Sequence, residues 1–432
     1  MENNNTDEFE VSYTKKYIYY SLAILGLMNL IDIFMSNAGP LVVSFVVEEF
    51  LISKGVPENV AYAQYGAAMA FLPLAGLLAV MIRYWADKYG RKMALTINIV
   101  GMTVGALLIV IAQDFWVYVL GSLIGGMFLV ADIQLLFINE QSPKEKRSRF
   151  VNWVRIIGLC GALMVPIFRG IFITPSDPNW RGLFLLPLIA GIIVSLLVIF
   201  TFKESSIYLT MKAKREANPE TQTQKVTFFQ AVKASTRLPN FKTIFLTFLI
   251  AFLGYMAGLS FRAYWEPFLS QNFTFQEVNI IYIIRYLISM PLGAAIGYIN
   301  DKVGRKAGMV ATLILLPVFL LLCLWAVQLQ NIWLVGIFYG LFIYSLWLTL
   351  STQMTMIDEQ TPTQLRGTID VVIVVVSVVF LVITSIFFAI LVLWFPFEIL
   401  FLIAVIPGCL IAIPLAIKYL PETKATDLTK VE

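Results

Sequence analysis

Long, nearly unbroken apolar runs alternate with short polar stretches along most of this chain. The first six runs cover Tyr17–Phe45, Val60–Ile82, Met93–Gln113, Trp116–Asn139, Phe150–Ile173 and Leu183–Phe202. Six more follow at Phe241–Leu269, Val278–Tyr298, Ala307–Gln328, Ile332–Ile357, Thr368–Trp394 and Glu398–Tyr419. A bilayer core needs about 20 apolar residues per helix, and each run is close to or above that length. The pattern predicts twelve membrane-spanning helices (spans 1 to 12) in two sets of six. The stretch Lys203–Asn240, rich in Lys, Thr, Gln and Ser, is too polar to cross and reads as a loop between the sets. The expected organisation is therefore a bundle over 1–202, a loop over 203–240 and a second bundle with a short tail over 241–432.

Composition removes the soluble alternatives. Hydrophobic residues make up 59% of the 432 and charged residues only 13%, with a mean hydropathy of +0.81. A soluble domain averages about 25% charged residues. There is no histidine, and the cysteines Cys160, Cys323 and Cys409 all lie in apolar runs. Imidazole metal sites, Ser-His or Cys-His catalysis and a disulfide framework are thereby excluded. No nucleotide loop or nucleophile constellation is visible, so neither an enzyme nor a metal or cofactor site is expected. The polar segment Met1–Lys16 does not read as a signal peptide.

Charge sets orientation. Of the 31 Lys and Arg, 25 fall at the termini, in the central loop and in the loops after spans 2, 4, 8 and 10. The opposite loops hold two, Lys54 and Arg181, and Arg155, Arg169, Arg262 and Arg285 fall inside spans. The positive-inside rule then places both termini and the central loop in the cytoplasm, with the chain expected in the plasma membrane. The net charge of +4 thus reports topology, and no nucleic-acid partner is expected.

Two polar motifs repeat. Arg83 to Lys92 (RYWADKYGRK) recurs as Gly297 to Lys306 (GYINDKVGRK), an offset of 214, and Asn139 to Ser148 recurs as Asp358 to Gly367, an offset of 219. Each lies between corresponding spans, so the two sets of six are internal repeats in the same orientation. At these residues the sequence resembles the major facilitator superfamily, whose signature is the Asp-Lys-x-Gly-Arg-Lys loop after spans 2 and 8. The Glu-x-Ser/Thr-Pro-x-x-x-Arg loops, Trp180-Arg181, Glu204-Ser205 and Pro421-Glu422-Thr423 resemble its sugar-porter and organic-ion branch. Departures are Arg83 in place of a packing glycine, Gly121-Ser122 in place of Gly-Arg, and no Gln-Gln pair between Phe245 and Ser260.

The resemblance implies an all-α polytopic fold of two pseudo-symmetric six-helix bundles, and it implies gate roles for the loop motifs. Asp87 and Asp301 are read as pairing with Arg or accepting backbone N–H bonds at a helix start. Gly90 and Gly304 permit the turn, and Arg91 and Arg305 offer bidentate pairing to carboxylates. Glu140 with Arg147, and Glu359 with Arg366, are expected in the same charge network. By the resemblance, spans 1, 4, 7 and 10 line a central cavity. Charged groups within spans are costly and should face a cavity or a partner. Candidates for the substrate and proton path are Asn29 and Asp32 on span 1, Asp132 and Gln134 on span 4, and Gln353 at the repeat position of Gln134. Arg155 and Arg285 are candidate anion anchors or partners of the two aspartates. Arg262 and Glu266, four apart on span 7, are expected to neutralise each other. Arg169 is expected to reach the interface, and Tyr255 and Trp347 are candidate aromatic contacts.

The expected function is secondary active transport of a small polar solute, an organic anion or another small metabolite, by a monomer with proton symport. A sugar–proton symporter, a proton-coupled drug exporter and a non-transporting nutrient sensor on the same fold are the alternatives. Without histidine, proton coupling must run through carboxylates.

Overall fold

The structure is a computed structural model that describes residues 13–129, 133–142, 146–174, 177–217, 236–362 and 365–424. Among these residues it is helical throughout, apart from one isolated β-bridge between Ile173 and Pro178. The described residues form seventeen α-helices and three short 3-10 turns. The first repeat contains α1 (Lys15–Ala38), α2 (Val43–Phe50), α3 (Glu58–Met69), α4 (Ala75–Tyr89), α5 (Arg91–Val110) and α6 (Phe115–Leu129). It continues with α7 (Ile133–Gln141), α8 (Arg147–Phe172) and α9 (Trp180–Thr201), and α10 (Ser206–Ala217) follows in the polar stretch. The second repeat contains α11 (Phe241–Asn272), α12 (Phe275–Ala294), α13 (Ile296–Val303), α14 (Arg305–Gln328), α15 (Ile332–Gln360), α16 (Arg366–Leu391) and α17 (Phe397–Tyr419).

These helices account for the twelve spans. Ten stretches are long and apolar enough to cross a membrane, and the span over α11 contains the shorter apolar segment Phe241–Tyr255. Among the described residues, two spans are not the single helices that hydropathy predicts. Span 2 breaks at the 3-10 turn Leu72–Leu74 around Pro73, which lacks the N–H a continuous helix needs. Span 8 divides between α12 and α13, where Ala295 donates back to Leu292 and tightens the turn. Span 1 is also shorter than its apolar run: α1 stops at Ala38, ahead of Gly39 and Pro40.

The chain divides by contacts into two units. Unit 1 comprises Met1–Gly39, Leu74–Phe168 and Asn179–Val226, and unit 2 comprises Pro40–Pro73, Arg169–Pro178 and Thr227–Glu432. In unit 1, α5 packs against α6 and α9. A Cβ on Gly105 would fall 2.4 Å from Gly125 Cα, so these backbones approach as closely as small residues permit. In unit 2, α15 packs on α12 and α14, and α11 on α17. Trp265 is wholly buried there between Phe268, Tyr339 and Phe401, with ring centroids 5.0–5.2 Å apart. The outward faces carry large apolar side chains such as Ile189, Phe200, Leu410 and Ile411, as lipid contact requires.

Candidate functional site

Four groups of polar side chains lie against this apolar scaffold. Two of them form at the loop motifs, one in each unit. The chain leaves α4 through Gly90 at φ +114° and ψ 154°, a conformation essentially restricted to glycine, and enters α5 at Arg91. The carboxylate of Glu204 lies across that helix start and accepts the backbone N–H groups of Arg91 at 2.8 Å and Lys92 at 3.0 Å. The Arg91 side chain pairs with Glu140 at 2.9 Å and donates to Ala86 O at 2.7 Å, and Ser205 Oγ donates to the other Glu140 oxygen. Unit 2 repeats the turn, the cap, the Arg–Glu pair and its hydroxyl donor, with Asp301 in place of the Ala86 carbonyl. Gly304 turns at φ +100°, Glu422 accepts the N–H groups of Arg305 and Lys306, Arg305 pairs with Glu359 at 2.9 Å, and Thr423 Oγ1 donates to Glu359.

Several expectations about these motifs change. Asp301 pairs with Arg305 at 2.8 Å, but the helix-start N–H groups go to Glu422 and, in unit 1, to Glu204. The Asp87 side chain lies outside the described residues. Arg366 does not hold Glu359. It donates through Nε to the carbonyls of Asp358 and Thr361, where it caps the end of α15. Arg147 Nε is buried and has no hydrogen-bond partner among the described residues, while Glu140 is taken by Arg91. The Glu–Arg pairs span the motifs and do not form within one loop, because a helix start presents its arginine to the neighbouring helix end.

The third group is mid-membrane in unit 1. Gln134 on α7 donates through Nε2 to Asn29 Oδ1 at 3.0 Å and Asp32 Oδ2 at 2.9 Å, both on α1. Asn29 Nδ2 donates to Val154 O on α8 at 3.1 Å. Asn29, Asp32 and Gln134 are all buried, and a Cβ on Gly158 would collide with Asn29. Arg155, next to Val154, is exposed and does not enter this cluster. Asp132 lies outside the described residues. Among the described residues the second repeat shows no counterpart. Ser21–Gln141 and Thr247–Gln360 are equivalent contacts at 3.5 Å, which puts Tyr255 at the register of Asn29 and Gly258 at that of Asp32. Gln353 is buried, but it faces no carboxylate at those positions.

The fourth group surrounds the arginines of unit 2. Arg285 on α12 lies over the ring of Tyr286 at 4.1 Å and near that of Tyr339 at 5.2 Å, with Tyr282 edge-on to Tyr339. Its Nε is buried and without a hydrogen-bond partner among the described residues. Arg262, expected to neutralise Glu266, is exposed. Glu266 pairs with Arg169 at 2.9 Å in its place, both side chains being wholly buried. Arg169 therefore does not reach the interface. Its Nε donates to Leu41 O at 2.7 Å and its Nη1 to Asn279 Oδ1 at 2.6 Å. Trp347 is 59% exposed and Tyr255 half-buried. Arg169, Ser44 and Asn279 were not among the expected site residues, since nothing in a single sequence links a residue at 169 to one at 266.

The family model of the major facilitator superfamily matches residues 22–377. The xylose transporter XylE of E. coli in an inward-open conformation superposes with a TM-score of 0.72 over 96% of this chain and 99% of that one, at 17% identity. A bacterial homologue of the lysosomal transporter Spinster superposes with a TM-score of 0.65, covering 96% of this chain and 97% of that one at 14% identity. In sequence, the tetracycline resistance protein of class H from Pasteurella multocida is 23% identical over 181 residues, 41% of this chain and 44% of that protein. A putative proline/betaine transporter of Staphylococcus aureus is 23% identical over 272 residues, 58% of this chain and 55% of that protein. The chain thus spans about half the length of these sequence relatives. With the family model matched over most of its length and the superfamily's helical fold recovered, the chain belongs to the major facilitator superfamily.

Proposed function

We propose that this transporter moves a small organic anion, or another small metabolite bearing a carboxylate, by alternating access with proton symport. The observation that carries the reading is Arg285: a guanidinium held over Tyr286, near Tyr339, with a buried Nε that no described residue satisfies. A planar cation with a donor left over is suited to bidentate recognition of a carboxylate. Proline and betaine, the solutes in one group of relatives' names, each carry a carboxylate and would suit the same anchor. Asp32 is the proposed proton carrier, since it is a buried acid that accepts from Gln134, a neutral amide able to face either charge state. In this reading the bundles over 1–202 and 241–432, joined by 203–240, rock about a cavity. The transporter works as a plasma-membrane monomer with cytoplasmic termini.

Counterflow of radiolabelled solutes in proteoliposomes, with and without a pH gradient, tests the proposal. Exchange of a small carboxylate, with accumulation driven by the gradient, is the expected result. Exchange of pentoses or tetracycline with carboxylates inert would replace it by the sugar or drug reading. A solute that binds but never crosses would make the protein a sensor.

A further inference from the structure

The fully buried pair Arg169–Glu266 holds together four chain segments, all within unit 2. Glu266 Oε1 accepts Arg169 Nη2 at 2.9 Å, Ser44 Oγ at 2.8 Å and Ser270 Oγ at 3.0 Å. Its Oε2 accepts the backbone N–H of Ser44 at 2.9 Å, at the start of α2. Arg169 adds bonds to Leu41 O and Asn279 Oδ1, and its guanidinium faces the rings of Phe275 at 4.5 Å and Phe45 at 5.4 Å. Every nitrogen of the guanidinium and both oxygens of the glutamate are thus engaged away from water.

Three features set this pair apart. First, Arg91–Glu140 joins residues of the first repeat and Arg305–Glu359 residues of the second, whereas Arg169–Glu266 joins first to second. Second, the segments Pro40–Pro73 and Arg169–Pro178 belong to the first repeat by sequence but to unit 2 by contacts, and this network supplies buried polar contacts from them to α11 and α12, beside the exposed Gln271–Glu58 bond at 2.8 Å. Third, the pair is remote from the loop motif. Asn240, just before α11, bonds to Gln360 O beside Glu359, and Glu266 lies 26 residues further along the chain, on α11. At about 1.5 Å per residue that is most of a bilayer away. Burying two opposite charges is a poor route to stability, because apolar side chains of the same volume hold as well without the desolvation cost. Ion pairing does give a contact that is either fully made or fully broken.

We propose that Arg169 and Glu266 form a latch closing the end of the transporter remote from the loop motifs, and that opening this end during transport requires the pair to part. The proposal rests on alternating access, but one arm of its test needs no transported solute. In a Val46→Cys, Cys160→Ser background, the introduced thiol replaces a wholly buried side chain two positions from Ser44. The native Cys323 and Cys409, also buried, report general loosening of the fold. Adding Glu266→Gln, which keeps shape and removes the charge, should speed labelling of the introduced thiol by a water-soluble maleimide about tenfold or more, with Cys323 and Cys409 unchanged. Unchanged labelling at position 46, or equal rises at all three thiols, would overturn the latch. In a second arm, oxidising Ser44→Cys, Ser270→Cys to a disulfide across Glu266 should abolish solute counterflow and reduction restore it. Full turnover by the cross-linked protein would equally overturn the proposal. Failure of the carboxylate reading would leave the labelling result standing.

Discussion

Glu204 caps the start of α5 through the backbone N–H of Arg91 while the side chain of that same Arg91 holds Glu140. One residue therefore ties three helix ends together, using its main chain for one carboxylate and its guanidinium for the other. Arg305 does the same with Glu422 and Glu359. The geometry requires a helix start directly after a tight turn, which the Asp-Lys-x-Gly-Arg-Lys motif supplies in both repeats.

Glutamine at either cap tests this arrangement. Glu204→Gln and Glu422→Gln keep the shape but lose charge-assisted bonds to a positive helix start, a cost of about 1–2 kcal/mol each, read as a lower Tm in detergent. For Glu422 the loss depends on pH. Burial raises its carboxyl, but the backbone N–H groups of Arg305, Lys424, Lys306 and Thr423 outweigh burial and hold it below its ordinary 4.5. A depressed carboxyl stabilises the fold above its unfolded value, and that stability is lost as pH falls through the folded value. The Tm gap between wild type and Glu422→Gln should therefore be full at pH 7 and close below about 4.5, on the acid side only. A gap that persists unchanged into acid would refute the assignment.

Gly90 and Gly304 admit no side chain. Their φ of +114° and +100°, with ψ near 154–157°, lie where even asparagine is rare. A Cβ would also fall 2.2 Å from Glu204 Oε2 at Gly90 and 2.7 Å from Glu422 Oε2 at Gly304. Gly90→Ala should cost about 2–3 kcal/mol from backbone strain and a displaced cap, and Gly304→Ala somewhat less. Thermal denaturation of the pair should preserve that order. Equal, small losses would show that the caps move freely.

Arg285 should govern affinity more than folding. Arg285→Lys keeps the charge but loses the fork, which costs about 1.5–3 kcal/mol for a charged hydrogen-bonded ligand, or roughly 10–100-fold in Kd. Equilibrium binding of a carboxylate solute reads this directly. The thermal transition of the unliganded protein should stay within a few degrees of wild type. A large loss of Tm with unchanged affinity would assign Arg285 to structure alone.

The helical fold and the repeats were legible in the sequence because both rest on local rules: apolar run length, charge by side, and motifs recurring at offsets of 214 and 219. Pairing was less legible. Arg262 and Glu266 satisfy the i,i+4 rule, yet Glu266 turns to Arg169, because a fully buried carboxylate needs more donors than one exposed neighbour supplies. Glu204 and Glu422 stood out as motif residues, but not as caps, because capping depends on where a remote helix begins. The helix breaks at Leu72–Leu74 and Ala295 left the hydropathy unchanged, so composition gave no sign of them.

Asp32 separates coupling from transport. Its carboxylate takes a bond from Gln134, and its repeat-register position, Gly258, holds no acid, so the second repeat offers no replacement proton carrier there. Asp32→Asn preserves the size and the hydrogen bond to the Gln134 side chain while removing the titratable group. Solute exchange down its gradient should continue within a few-fold of wild type, while accumulation driven by a pH gradient should disappear. Gln353→Ala, altering the position equivalent to Gln134 in the repeat that lacks the acid, should leave the response to the gradient intact. Gln134→Ala, which strips Asp32 and Asn29 of their shared donor, should shift the pH at which driven uptake is half-maximal. Gradient-driven accumulation surviving in Asp32→Asn would move the proton path to another carboxylate.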